Sequence, residues 1–438
     1  MQRAGTGLIV SSNSGKLDTA RAPGGCAASV AGKLPATPEG MEIVVEALRD
    51  TPVARRRTEL VERKGLGHPD TLCDALVEAI SIALNRMYLD RIGIIAHYNI
   101  DKALLIAGQC RKRFGAGEIT QPMELIVGDR ATFTAGGVTL PVADTVTTAV
   151  DTWVAAHLPR LRPGIDLRTR VALAPGSEEL RRIFKDQPIA VVSNDTCGAS
   201  GYAPFSPTEE MVLATERFLN SSEFKAQFPD TGSDVKVFGV RRDTRLALTV
   251  AMPLLCHAMG SERAYFARKA EIIEALRRRF ADAPFDLEWY LNCLDRPGCG
   301  IEGVYLSVTG TSAEDADSGQ VGRGNRVNGL IAFSRPTGGE AAPGKNPVAH
   351  VGKIYSVLSH RLAGVIHARQ PDIEEVYVHL ATRIGQPVAD PFCSVQVVLP
   401  PGLALGDVEA TARAVIDAEL RRMPGFQAEL IAGTHAVC

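Results

Sequence analysis

The chain reads as an α+β protein, with related subdomains of largely antiparallel sheet backed by helices. Three observations lead there. Several segments repeat apolar residues at the 3.6-residue helical period. Short runs rich in β-branched and apolar residues lie between them. These runs fall in neighbouring pairs before a helix, without the strict strand–helix alternation of a doubly wound parallel sheet. At 438 residues the chain is too long for one small core, so two to three structural units are expected.

Residues 1–40 stand apart. They hold no aromatic residue and are rich in Gly, Ala, Ser, Thr and Pro. Such a stretch buries too little apolar surface to offset its ordering entropy, and Leu8-Ile9-Val10 is too short for a secretory h-region. It is expected to be a disordered tail, with Met41 as the natural start and the upstream start codon an error of assignment. The folded unit is then 41–438.

After Asp70 a helix follows from Leu72, Leu76, Ala79, Ile80, Ala83, Leu84 and Met87 on one face. Strands are predicted near 94–100, 103–108, 124–128 and 189–193. Ser206-Pro207-Thr208-Glu209 supplies an N-cap, a proline at the first helical position and a capping-box glutamate; that helix is predicted to run to about Phe228. Strands follow near 235–239, 245–255, 286–292 and 303–309, with helices near 263–281, 352–369 and 407–422. Two last strands are predicted at 375–380 and 394–399. No run reaches the roughly 18 apolar residues that a spanning helix needs.

Apolar residues make up 45% and charged residues 22%, with a formal net charge of −2. No global field points to nucleic acid or membrane, so an anionic substrate must be met by a local cluster of Lys and Arg. Nine cysteines occur, an odd number and without a C-x-x-C pair. That pattern favours reduced thiols in a cytoplasm over a disulfide framework or a structural zinc.

Four segments carry candidate chemistry. In KGLGHPDTLCD, Lys64, His68 and Asp70 surround glycines at the start of a helix. Asp70 is either a helix cap or a carboxylate holding a cation against a phosphate. In SNDTCGASGYAP, Asp195 at a strand end is either a site carboxylate or an Asx-turn. TGTSAEDADSGQVGRGNRVNGLI is the most informative. Asp317 precedes Gly319, Gly322 and Gly324, with Arg323 and Arg326 between them. Backbone N–H groups of such a loop approach an anion and arginines add planar donors; the alternative is a solvated surface loop. In RPTGGEAAPGKNPVAHVGK, Lys345 and Lys353 sit in a Gly/Pro-rich stretch, either a mobile loop closing over substrate or an ordinary connection. Lys236, inside VKVFG, either faces solvent or reaches for a phosphate chain. Together these imply an enzyme using a nucleoside triphosphate with Mg²⁺, and leave a second substrate unnamed.

As a set, ERKGLGHPDTLCD, NDTCGASGYAP, TERFLNS, GTSAEDADSGQVGRGNRVNGLI and GKNPVAHVGKIY resemble the archaeal-type S-adenosylmethionine synthetase (methionine adenosyltransferase) family. They occur in that family's order, and the likeness runs from Met41 to near the C-terminus. The resemblance implies about three interleaved α+β subdomains. It also implies a two-step reaction in which the sulfur of L-methionine attacks C5′ of ATP, and the expelled triphosphate is hydrolysed to pyrophosphate and phosphate. It places His68 at the departing triphosphate and makes Asp70 and Asp317 metal-linked carboxylates. Lys236, Arg323 and Lys345 become triphosphate ligands, with Gly322 and Gly324 in the same glycine loop. Asp195 contacts methionine, and Gly176 and Ser177 contact nucleotide. Mg²⁺, K⁺ and a homodimer with sites at the interface are expected. One departure bears on these roles: the family's usual G-Q-G-S is here Ala174-Pro175-Gly176-Ser177. The alternatives to this activity are transfer to another thioether and a silent partner subunit.

Overall fold

The computed structural model describes residues 42–185 and 191–438. The expected tail, 1–40, and residues 189 and 190 of the strand predicted at 189–193 lie outside them. Val192 within that segment makes only an isolated bridge, to Pro387.

Three sheets carry the fold, each with helices on one face. In the first, strand order runs Ile43–Ala47, Phe392–Val398, Glu375–Thr382, Cys197–Ala203. Helices Val351–Arg369 and Leu405–Arg421 close it, and Ile354, Leu358, Val378, Val395 and Ile416 share its core. The second centres on Asn99–Ile106 and Met123–Ala131, joined by Ala174–Pro175, Leu167–Val171 and the short Gly319–Gln320. Helices Pro69–Ile92 and Val142–His157 bury Leu72, Leu76, Ile80, Val146 and Val150 against it. The third runs Asp286–Leu291, Arg245–Ala251, Lys236–Arg242, Thr58–Lys64, Ile331–Ala332. It packs on Pro207–Leu219, Ser222–Gln227 and Glu262–Arg279.

Nine strand pairs are antiparallel and five parallel among the described residues, so the expected α+β class holds. Burial alternates along Thr58–Lys64 and Lys236–Arg242, because successive side chains point to opposite faces. Val61, Val237 and Arg241 turn toward the helices, whereas Leu60, Glu62, Lys64, Lys236, Phe238 and Val240 turn outward. No described helix is long and apolar enough to cross a membrane.

Several predicted boundaries change. The strand predicted near 303–309 is only Leu306–Ser307, and the one predicted at 245–255 divides into Arg245–Ala251 and Leu254–Leu255. The strands predicted at 94–100 and 103–108 are one strand, Asn99–Ile106, with a bulge between Asn99 and Lys102. The long helix predicted from Ser206 to Phe228 is two helices. Its start is as expected: Ser206 accepts from the Glu209 N–H, Pro207 is the first helical residue, and Glu209 accepts from the Ser206 N–H. It stops at Asn220, and Ser221 caps a new helix by accepting from the Phe224 N–H. Serine competes with the helical hydrogen bond through its side chain, so a Ser pair inside an apolar period marks a restart.

Candidate active site

The first turn of helix Pro69–Ile92 organises the site. Its cap is His68, not Asp70: the ring Nδ1 accepts from the Asp70 N–H at 3.2 Å. Asp70 is thereby free for other partners. Its carboxylate accepts from the Lys64 ammonium at 2.9 Å and from the Gln320 N–H at 3.0 Å. Lys64 also donates to the Arg323 carbonyl at 2.7 Å. Directly across the antiparallel ladder from Lys64 stands Lys236. Two cations face each other on one outer sheet face, with Glu62 between them, 3.8 Å from Lys64 and 3.2 Å from Lys236. Like charges directly opposite are destabilising, so this end of the sheet holds positive charge at a cost.

Gly65 and Gly67 serve close backbone approach. A Cβ on Gly67 would lie 2.5 Å from the Asp234 nitrogen, and one on Gly65 would lie 2.7 Å from the Val235 carbonyl oxygen. The glycines therefore seat the His68 turn on the segment that enters strand Lys236–Arg242. That segment holds Asp234, a buried carboxylate accepting from the Ser312 N–H at 2.8 Å. Burial pushes Asp234 up to about 6; the Ser312 bonds oppose this and the nearby charge of Asp317 adds to it. Asp317 itself is exposed. Burial also pushes the His68 imidazole down to about 4, helped by Lys64, opposed by Asp70 and helped again by Lys236.

The glycine loop docks on the same helix one turn further along. Asp74 accepts from the Gly322 N–H at 2.8 Å. Gly322 has φ of +82°, which glycine adopts readily, and a Cβ on Gly324 would lie 2.3 Å from an Asp74 carboxylate oxygen. That oxygen is buried without a hydrogen-bond partner. Burial pushes Asp74 up to about 7, against the Gly322 N–H. Arg323, exposed at the tip of this loop, makes no ion pair among the described residues.

A second charged cluster lies another turn on. Glu78 accepts from the Gly344 N–H at 3.0 Å and pairs with Lys353 at 2.7 Å. Lys345, 2% exposed, pairs with Asp101 and, at 3.1 Å, with Glu340. The stretch 342–350 is buried throughout. The mobile-loop reading of this segment is therefore corrected: Lys345 is fixed by its counter-ions and by a bridge from its backbone to Asn99. Asp195, half-exposed, lies 3.9 Å from His350, the buried cap of helix Val351–Arg369. Its carboxylate accepts from the Thr196 N–H at 2.7 Å, the residue next in sequence, so the Asx-turn alternative does not describe it.

Asp70, Asp74 and Glu78 thus occupy successive turns of one helix face, at i, i+4 and i+8. The rise of 1.5 Å per residue sets the outer two about 12 Å apart. His68 and Asp70 are in direct contact, and Lys236 is linked to them through Lys64 and Glu62. Asp317 is linked by its charge acting on Asp234, and Gly322 and Gly324 are joined through Asp74. Lys345 and Asp195 share the second cluster. Gly176 packs on the His97 ring, where a Cβ would meet Nδ1 at 2.4 Å. Ser177 accepts from the Leu180 N–H at 3.3 Å. Among the described residues neither bonds to the His68 cluster.

Sequence reasoning passed over Asp74, Glu78 and Asp234. The i+4 spacing from Asp70 signals the first two, and the Asp234-Val235-Lys236 juxtaposition signals the third. Asp101 and His350 have no comparable local signal.

The family model described as S-adenosylmethionine synthetase (AdoMet synthetase) matches residues 41–434. The chain belongs to the S-adenosylmethionine synthetase family. The S-adenosylmethionine synthase of Pyrobaculum neutrophilum is 41% identical over 392 residues, covering 87% of this chain and 96% of that protein. The S-adenosylmethionine synthase of Aeropyrum pernix is 43% identical over 408 residues, covering 90% and 99%. A solved structure, described as an unusual S-adenosylmethionine synthetase from Campylobacter jejuni, superposes with a TM-score of 0.53 at 16% identity, covering 86% of this chain and 94% of that one. At that identity the likeness concerns the fold. Membership of this synthetase family makes the chain an adenosyl-transferring enzyme, in agreement with the motif resemblance.

Proposed function

We propose that the chain makes S-adenosyl-L-methionine from ATP and L-methionine, with the reacting groups laid along the carboxylate-bearing face of helix Pro69–Ile92. The observation that carries the site assignment is the juxtaposition of Lys64, His68 and Lys236 with Asp70, Asp234 and Asp317 at that helix's N-terminus.

A thioether sulfur needs no general base to attack C5′. The barrier lies in the leaving group, a triphosphate, and preorganised positive charge lowers it. Lys64 and Lys236 supply that charge, with the helix N-terminus adding its partial charge. His68 is held neutral at pH 7. Its Nδ1 is engaged as an acceptor, so the proton of the neutral ring sits on Nε2, a donor for the departing oxygen. Arg323 is an exposed guanidinium on a loop that Asp74 anchors, and would bind the triphosphate as it forms. Lys345 and Asp195 would meet the far end of the bound substrates. Gly176 and Ser177 would contact the nucleotide from the second sheet.

Among the described residues only Cys110, Glu314 and Asp315 bring three metal-ligand atoms together; Asp70, Asp234 and Asp317 stand further apart and would have to converge on a divalent cation that arrives with the triphosphate. They offer carboxylate oxygens, and Asp317 raises the affinity of Asp234 for positive charge. Mg²⁺ bound there would neutralise the triphosphate. K⁺ rests on the family resemblance alone.

The second copy of a homodimer is assigned to the outer face of the sheet carrying Lys64 and Lys236. Leu60 (38% exposed), Val240 (39%) and Phe333 (59%) lie there, and the Phe238 and Phe333 rings meet edge to face at 5.9 Å. Such a partner would border both lysines, so the site would lie at the interface. The three sheets and their cores are read as the three interleaved subdomains, and residues 1–40 as an appended tail. A cytoplasmic location rests on the odd number of cysteines and the lack of a C-x-x-C pair.

Incubation of purified protein with ATP, L-methionine, Mg²⁺ and K⁺, followed by chromatography with mass detection, tests the reading. Equal formation of S-adenosylmethionine, pyrophosphate and phosphate is expected. Phosphate release without S-adenosylmethionine would refute it.

A further inference from the structure

A cavity of about 350 Å³ opens between the end of helix Val142–His157 and helix Ser222–Gln227. Arg160 and Lys225 are on its wall, with Asn220, Thr231, Ser233 and Thr309 as hydrogen-bonding groups, and no Asp or Glu lines it. The Lys225 ammonium donates to the Thr231 hydroxyl at 3.0 Å and the Gly232 carbonyl at 2.6 Å, both neutral. Arg160 donates to the Pro229 carbonyl at 3.1 Å. Neither cation has a carboxylate within ion-pair distance among the described residues. Two such cations beside one concavity, in a chain of net charge −2, form a local field for an anion. Burial pushes Lys225 down to about 7, with Glu216 and Asp230 opposing and Arg160 adding; a bound anion would restore its charge.

The volume suits a small molecule, and the Arg160 guanidinium and Lys225 ammonium are donors of the kind that bind phosphoryl oxygens, whereas the Thr231 and Thr309 hydroxyls and the Asn220 amide already donate within the protein. Helix Ser222–Gln227 packs through buried Phe224 on the helix-covered face of its sheet, so the cavity is distinct from the outer face assigned to a second copy. It abuts the active cluster from behind. Leu66 lines it, and Ser233, also on its wall, accepts from the Gly67 N–H at 3.1 Å. An occupant would therefore rest on the turn that carries His68.

We propose that this cavity binds a small phosphate-class oxyanion, separately from the active cluster.

Equilibrium dialysis of the full chain against labelled inorganic pyrophosphate at fixed ionic strength tests this. Two equivalents per chain are expected, one at the His68 cluster and one here. Arg160→Glu and Lys225→Met are each expected to weaken one of them at least about tenfold, since a hydrogen bond to a charged group is worth about 1.5–3 kcal/mol. Lys236→Ala is expected to weaken the other. Arg160 is exposed, so its variant keeps the test alive if Lys225→Met does not fold. Competition by AMP would identify a nucleotide phosphate, and competition by phosphate alone a free inorganic ion; either supports the site. Wild-type stoichiometry and affinity in folded Arg160→Glu would overturn it. That result combined with a loss in Lys236→Ala would leave the active-site reading standing. Loss only in the Arg160 and Lys225 variants would instead count against the active-site assignment of Lys236.

Discussion

Asp317 and Asp234 illustrate how one residue's role depends on its neighbour. Asp317 is exposed and accepts little from the protein, whereas Asp234 is buried and raised in pKa partly by Asp317. Asp317→Asn should therefore spare the fold and cut Mg²⁺-dependent turnover at least about a hundredfold, the scale of losing one preorganised electrostatic group. Steady-state kinetics across a Mg²⁺ titration would show it, and unchanged kcat/KM would remove Asp317 from the metal. Lys345 behaves differently, because it is a buried counter-ion. Lys345→Ala should leave Asp101 with only Lys102 and lower stability by about 3 kcal/mol. Urea denaturation measures this, and wild-type stability with slowed turnover would restore the mobile-loop reading. His350 offers a pH test. Burial pushes its pKa down to about 3, from 6.5 when unfolded. The unfolded chain then binds the extra proton, so stability from this group is present above 6.5 and is lost as pH falls toward 3. His350→Asn retains a capping side chain and should flatten the stability–pH slope in that window by about 1.4 kcal/mol per pH unit. An unaltered slope would mean that His350 is not held neutral.

Helix starts in this chain double as connectors. Ser206 caps its own helix and also donates to the buried Glu59 carboxylate at 2.6 Å. Ser206→Ala should cost about 2 kcal/mol, the upper end for a lost cap, because Glu59 loses a donor as well. A denaturant midpoint shift of that size, with KM for ATP unchanged, is the expected result; a shift of a few tenths would leave only a solvent-replaceable cap. This start was legible in Ser206-Pro207-Thr208-Glu209, since a capping box is a local contract between residues three apart. The restart at Ser221 was less legible, because the apolar period runs on through Phe224 and Phe228. His68 was misjudged against Asp70 for a similar reason. Both residue types accept from a helix's first N–H groups, and only the turn seated on Asp234 decides which one does.

Across the whole molecule, the outer face of the third sheet makes the prediction. Phe333→Asp should convert a dimer to monomers without unfolding the chain, as read by analytical ultracentrifugation. Because Lys64 and Lys236 lie on that face, turnover should be lost together with the dimer. A dimer unaffected by the charge would place the second copy elsewhere.

By itself the sequence determined the α+β class, the main helices, the capping box and the family, each of which rests on short-range pattern or on long motifs in order. It also isolated His68, Asp70, Lys236 and Asp317, because chemistry-bearing residues clustered around glycines are visible within one segment. Only the tertiary structure decided that Lys236 stands opposite Lys64, that Asp74 and Glu78 tie two distant loops to one helix, and that Lys345 is buried against Asp101. Strand register joins Ile43 to Cys393 and ion pairing joins Arg55 to Glu374, 319 positions apart, and no local period encodes a contact at that separation.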